Sequence, residues 1–393
     1  MRLILVQVFS WFLSLLVVVG ILGMPVVSMP KTGLQFDRDI RPILSDTCYA
    51  CHGPDAKKRQ ANLRLDMETS ALSGQTEGSV IVPGRPDQSK LVQRITHPDS
   101  TERMPPASHN RKLTAEEIAL LKQWITEGAK WEDHWLYTPP QRPELPSVNN
   151  RSWPKNEIDH FIQRRLESEG ITPSPTIDKQ SLIRRLSFDL TGLPPAYEDV
   201  EAFVEDDSPE AYQKIVERLL DSPHYGERMA LYWLDLVRYA DTTGYHSDED
   251  VSVWPYRDYV IRAFNENMPF DQFTRENLAG DLLDNSTVWQ KVAAGYNRLN
   301  QTTAEGGAQA KEYLAIYSAD RVRTTASVWL GATMGCAQCH DHKFDPYTTQ
   351  DFYRLAAFFA DIKEVGVYGG NSKREPIVRI LDETQQAEHD RLV

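Results

Sequence analysis

Phe36-Asp37-Arg38-Asp39-Ile40-Arg41-Pro42-Ile43-Leu44-Ser45-Asp46-Thr47-Cys48-Tyr49-Ala50-Cys51-His52 carries two signals in one stretch. Phe36, Ile40 and Leu44 recur every four residues, an apolar stripe that predicts a helix, and the stripe runs straight into Cys-x-x-Cys-His. Pro42 inside the pattern predicts a bend or a shortened helix. A second pentad, Cys336-Ala337-Gln338-Cys339-His340, follows far downstream, and the two together use all 4 cysteines of the 393-residue chain. A histidine directly after Cys-x-x-Cys is the spacing of covalent c-type haem attachment. Each thiol adds to one vinyl group of the porphyrin, while His52 or His340 turns under the ring and gives iron its proximal nitrogen. The expectation is two covalently attached haems c.

Four cysteines in pairs could also build one tetrahedral zinc site, or either pair could be a redox dithiol. Neither alternative calls for the adjoining histidine, which occurs twice.

The N-terminus opens with Met1-Arg2, an uncharged apolar run from Leu3 to about Leu22, and Met24-Pro25-Val26-Val27-Ser28. This is an export signal: residues 1–28 read as a cleaved signal peptide, with retention as a membrane anchor the alternative. Either way the remainder is expected outside the cytoplasm, in the periplasm or on the outer face of the cytoplasmic membrane. The formal charge of −13 argues against a nucleic-acid partner, because phosphate binding rests on clustered Lys and Arg. An acidic face suits a basic redox partner.

Residues 36–135 have the feature order of a small cytochrome c. At their far end Thr114-Ala115-Glu116-Glu117 predicts a capping box, followed by Ile118, Leu121, Trp124 and Ile125 on one face and a stop at Gly128. Between the bracketing helices lies Arg103-Met104-Pro105-Pro106, which places Met104 as the expected sixth iron ligand, ahead of Met67, His97 and His109. Its bland alternative is a packing methionine in a Pro-rich loop.

Residues 136–152 read as a linker, with Pro139, Pro140, Pro143 and Pro146 among polar residues. In residues 153–365 almost every segment then reads as helix. Asn156 caps a stripe of Ile158, Phe161, Ile162 and Leu166; Asp178 caps Leu182, Ile183, Leu186 and Leu190; Ser208-Pro209 and Trp254-Pro255 open two more. A run from Gln309 to Leu330 delivers the second pentad. No methionine follows Cys339, so a distal ligand for that haem must come from afar, with His246 the first candidate. His342 is disfavoured, since a residue two beyond the proximal histidine lies on the same side of the ring. An iron left five-coordinate would permit substrate or peroxide chemistry. Arg257, Arg321 and Arg323 are candidates for gripping haem propionates, with ordinary ion pairs as the alternative. No Gly-x-Ser-x-Gly, phosphate loop, dinucleotide fingerprint or His-Glu-x-x-His occurs.

The chain resembles the planctomycete-type cytochrome c family. The first domain does so through Ile40-Arg41-Pro42-Ile43-Leu44, Cys48 to His52, Leu63-Arg64-Leu65-Asp66, Val82-Pro83-Gly84 and Arg103 to Pro106. The second does so through Leu190-Thr191-Gly192-Leu193-Pro194-Pro195, Trp254-Pro255-Tyr256-Arg257-Asp258, Pro269-Phe270-Asp271, Leu278-Ala279-Gly280-Asp281 and Gly335 to Pro346. The resemblance implies exported haem proteins of Planctomycetes and their relatives, with redox work linked to polysaccharide breakdown. It also implies a further large domain, so 366–393 is read as the start of a truncated region whose missing part, or a separate partner chain, would complete the protein.

The expected fold is mainly α: a small cytochrome c-like helical domain followed by a larger all-helical domain. The expected function is electron transfer by an exported dihaem c-type cytochrome. The rivals are a haem-dependent oxidoreductase, acting on peroxide or a carbohydrate-derived substrate at an open second haem, and a structural or glycan-binding module.

Overall fold

The computed structural model describes residues 34–73, 79–132, 134–245, 248–369, 374–381 and 383–392. The signal or anchor expected at 1–28 lies outside them. Among the described residues there is no strand, only isolated bridges such as Gly244 with Thr302 and Thr303 with Val367. The protein is all-helical, as the periodicities require. The chain divides into two compact units between Thr138 and Pro139.

In the first unit Pro42 does not break a helix so much as start one. Phe36–Ile40 form a single π-helical turn, and α1 (Arg41–Thr47) begins with Pro42 in its first turn, where a missing N–H costs nothing. Ile40 and Leu44 are fully buried. Phe36 sits among Trp124 and Trp131, with ring centroids 5.5 and 4.3 Å away. Two further helices, α2 (Lys90–Ile95) and α3 (Ala115–Thr126), close this core through Leu91, Val92, Leu121 and Ile125. The capping box at Thr114 and Glu117 is formed in both directions. Gly84 adopts a left-handed φ of 77° and gives its N–H to the Ile125 carbonyl at 2.7 Å. The Val82-Pro83-Gly84 turn thus gives a further donor to an end carbonyl of α3 that also accepts the Gly128 N–H just past the helix.

The second unit contains α4 (Glu157–Ser168), α5 (Lys179–Thr191), α6 (Tyr197–Glu205), α7 (Ala211–Leu220), α8 (Pro223–Leu236), α9 (Trp254–Asn265), α10 (Phe270–Ala279), α11 (Val288–Ala293), α12 (Ala310–Leu330), α13 (Thr349–Ala357) and α14 (Glu383–Leu392). Asn156 and Asp178 cap α4 and α5 as expected. Helix α7 starts at Ala211, beyond the expected Ser208-Pro209. The apolar stripe of α4 does not become core: Ile158 is 71%, Phe161 41% and Ile162 49% exposed. That helix is held instead by polar contacts, with Glu167 accepting the backbone N–H groups of Asn149 and Asn150.

The main core of this unit is aromatic, built from Trp233, Tyr256, Tyr259, Phe273 and Tyr296. Their polar ends find partners. Trp233 donates to the Tyr256 hydroxyl (2.9 Å), which donates to Asn277 (2.7 Å), and Tyr259 donates to the buried Glu276 (2.9 Å). Beside this core Arg321 of α12, 2% exposed, pairs with Glu364 at 2.5 Å and also donates to the Asn297 carbonyl at 2.6 Å.

Glu364→Leu strands the Arg321 guanidinium, so a loss of about 3–5 kcal/mol is expected in urea unfolding. Arg321→Met with Glu364→Leu should recover most of it. In the first unit, the hydrogen bond from Arg111 holds the Glu117 carboxyl below its ordinary range. Its contribution is present above the unfolded pKa of roughly 4.3 and drains as pH falls through the lower folded value. Glu117→Gln should therefore flatten the acid limb of the stability–pH curve.

Candidate haem-attachment sites

Helix α1 passes into the first pentad without a break in hydrogen bonding. Cys48 donates to Leu44 at 2.8 Å, and Cys51 and His52 donate back to Cys48 at 3.1 and 2.8 Å. One helical turn over Tyr49–His52 brings positions i, i+3 and i+4 to one face, so both thiols and the imidazole point the same way. Cys48 and Cys51 are half-buried and form no disulfide. Cys48 packs against the core, and burial pushes its thiol pKa up.

The pentad's carbonyls are held by the segment that follows. Gln60 donates to Cys51 (2.7 Å), Leu65 donates to His52 (2.8 Å), and Arg59 grips the carbonyls of Gly53 (2.9 Å) and Pro54 (2.7 Å). Gly53 is there for space: a Cβ would lie 2.9 Å from that of Tyr49 and closer still to the Tyr49 carbonyl oxygen. Burial lowers the pKa of His52, favouring the neutral imidazole that a metal requires. Its Nδ1 is buried with no partner. Two free thiols and a neutral histidine on one helical face fit a covalently held haem.

Met104 is 39% exposed and outside the apolar core cluster. Its loop is braced: Met104 donates its N–H to Arg94 (3.0 Å), and Arg103 ties the carbonyls of His97 (2.7 Å) and Pro98 (2.8 Å). Of the competing candidates, His97 and His109 have Nδ1 engaged by the backbone of their own loops, and Met67 is 43% exposed.

The second pentad is built differently. Helix α12 ends at Gly331 in the left-handed region, and a 3₁₀ turn over Met334–Gln338 follows, anchored by buried Met334 and Ala337. Cys336, Cys339 and His340 are exposed. Gln338 at the centre is clamped, its side chain receiving Arg323 (3.0 Å) and its carbonyl receiving Tyr353 of α13 (3.1 Å). His340 has Nδ1 2.8 Å from the Asp341 carbonyl. A carbonyl can only accept, so Nδ1 carries the proton and Nε2 keeps its lone pair free for a metal.

His342 is the reverse case. Its Nδ1 accepts the N–H groups of Asp345 (2.8 Å) and Phe344 (3.3 Å), which makes it a loop-builder. Asp341 accepts the N–H of Thr349 at the start of α13 (2.8 Å). Each residue of Cys-His-Asp-His after the cysteine thus has a separate task. Arg321, read from sequence as a candidate propionate grip, is spent on Glu364 inside the protein; its burial, invisible in the sequence, decides this. Arg257 lies 3.4 Å from Asp258. His246 lies outside the described residues. The clamp on Gln338 and the brace from Arg59 have no sequence signal beyond proximity to the pentads.

A helical unit presenting Cys48, Cys51 and His52 from one turn is a c-type cytochrome unit. Residues 48–108 match the planctomycete cytochrome C family, PSCyt1, and imply covalently bound haem c there. Residues 157–364, more than half of the chain, match PSCyt2, described as a protein of unknown function (DUF1549); the chain belongs to that family. No curated protein and no solved structure shows a significant match.

Gly53→Ala should push the first pentad off its turn. The expected outcome is a lower yield of covalent haem at Cys48 and Cys51, read by peptide mass spectrometry, with the second site loaded as in wild type.

Proposed function

We propose that this chain is an exported dihaem c-type cytochrome that transfers electrons outside the cytoplasm, feeding a redox step in polysaccharide degradation. The observation that carries the second haem is the Nδ1 bond of His340 to Asp341 at 2.8 Å, which leaves Nε2 as a ligand beside two free thiols. Cys48, Cys51, Cys336 and Cys339 would hold the two groups, with His52 and His340 as proximal ligands and Met104 as the distal ligand of the first. Reversible one-electron exchange is the chemistry the group supplies when bound. The half-buried first pentad and its braced loops would hold the ligands still during that exchange. The exposed second pentad suits contact with a protein partner, and the charge of −13 favours a basic one.

A second reading is favoured by the same exposure. Cys336, Cys339 and His340 all face solvent, so an open coordination position there would admit peroxide or a carbohydrate-derived substrate. High-spin iron and ligand binding at one haem only would select this oxidoreductase reading.

The pyridine haemochrome of the chain, matured with a bacterial export signal and haem-loading machinery, should report two covalent haems. One haem, or none beside a loaded control cytochrome, would defeat the dihaem proposal. Met104→Ala should make the first haem accessible to added ligands, and an unchanged low-spin spectrum would remove Met104 as its ligand.

A further inference from the structure

Two arginines of the second unit are held half-buried, and among the described residues neither is paired directly with a carboxylate. Arg374 lies over the Tyr368 ring, its guanidinium carbon 4.2 Å from the centroid, and donates to the Thr302 hydroxyl. Arg298 donates to the Pro376 carbonyl (2.9 Å) and to the Tyr368 hydroxyl (3.5 Å). Both guanidinium groups therefore converge on one tyrosine. Among the described residues neither lies within ion-pairing distance of an acidic side chain. Arg321 shows how this fold treats a cation that is only structural, burying it against Glu364 and two further acceptors.

The surroundings are rigid. Thr302 and Tyr368 are 6% and 5% exposed. Tyr368 donates to the Thr303 carbonyl (2.9 Å), Thr303 donates to the Tyr317 hydroxyl (3.0 Å), and that hydroxyl donates to the Gly366 carbonyl (2.8 Å). Three segments are thus stitched together without a sheet, by the bridges Gly244 with Thr302 and Thr303 with Val367. Burial, and to a lesser degree the positive field of Arg298, presses the Arg374 pKa downward, against a smaller opposing pull from Tyr368, Tyr317 and the more distant Glu249. Two like charges brought together in partial desolvation are unfavourable. A guanidinium has five donors, and the protein uses one from Arg374 and two from Arg298. The chain as a whole carries −13, so this is a local cationic site on an anionic protein.

We propose that Arg298, Arg374, Thr302 and the Tyr368 ring form a binding site for one oxyanion group, a carboxylate, sulfate or phosphate. The guanidinium forks would grip its oxygens, and Thr302 holds Arg374 ready for it. The site does not use either pentad's cysteines or histidines, and it does not depend on the electron-transfer reading. Its ligand could be a free acidic metabolite or a propionate of the cofactor itself, which share this chemistry.

The test is calorimetric titration of the haem-loaded chain with sodium sulfate, phosphate and acetate against chloride at matched ionic strength, alongside thermal unfolding in each salt. At least one oxyanion should bind saturably and raise Tm, in the haem-loaded chain or in its Cys336→Ala, Cys339→Ala variant. Arg374→Gln and Arg298→Gln should each weaken binding at least about tenfold, and Arg374→Lys should restore only part of it, because charge without the fork is insufficient. If the added anion binds only when Cys336→Ala and Cys339→Ala are introduced, the occupant in the native protein is a propionate; if it binds in both, the occupant is a free ligand. Failure of all three anions to bind in both proteins would overturn the proposal. So would Gln variants that bind as wild type does, or that lose the same stability whichever anion is present.

Discussion

A guanidinium that is 2% exposed has to be neutralised, and Glu364 does this for Arg321. Much of the second unit follows from that pairing. Arg321 also donates to the Asn297 carbonyl and to Asn300, so one side chain of α12 joins the segment before the helix to the segment that returns after α13. With Glu364 fixed, Gly366 reaches the Tyr317 hydroxyl and Tyr368 reaches Thr303. An all-helical protein has no sheet to order its connections. Here a buried ion pair and a few side-chain-to-backbone bonds take that role, and breaking the pair would leave a bare charge in a low-dielectric interior. The convergence of Arg298 and Arg374 on Tyr368 rests on the same return segment.

The two pentads share a spacing and differ in everything around it. In the first, the helix that bears the cysteines also supplies core residues, so Cys48 packs against the apolar cluster and His52 is drawn partly out of water. In the second, the pentad follows the end of α12 and is anchored by Met334, Ala337 and the clamp on Gln338. Its cysteines and histidine stay at the surface. The orientation of His340 is set by the next residue's own carbonyl, whereas His52 keeps an unpartnered Nδ1. The same five-residue motif can therefore be presented from a core or from a surface, and its accessibility belongs to the surroundings.

Local patterns were legible where the physics is local. The spacing of Cys48, Cys51 and His52 implies one helical face, the capping box at Thr114 and the cap at Asn156 form as their residues imply, and the run from Gln309 to Leu330 is the cap and body of α12. The periodicity of α4 misleads, because an apolar stripe shows that a helix could bury a face and cannot show that a neighbour is there to cover it.

By itself, then, the sequence determined the helical class, the two Cys-x-x-Cys-His motifs and several of the helix caps, since each depends on side chains within about one turn of one another. Only the tertiary structure decided which pentad is sheltered, that Arg321 belongs to Glu364 and not to a cofactor, and that Arg298 and Arg374 share one tyrosine. These depend on contacts between residues far apart in the chain, whose desolvation and pairing no local pattern encodes.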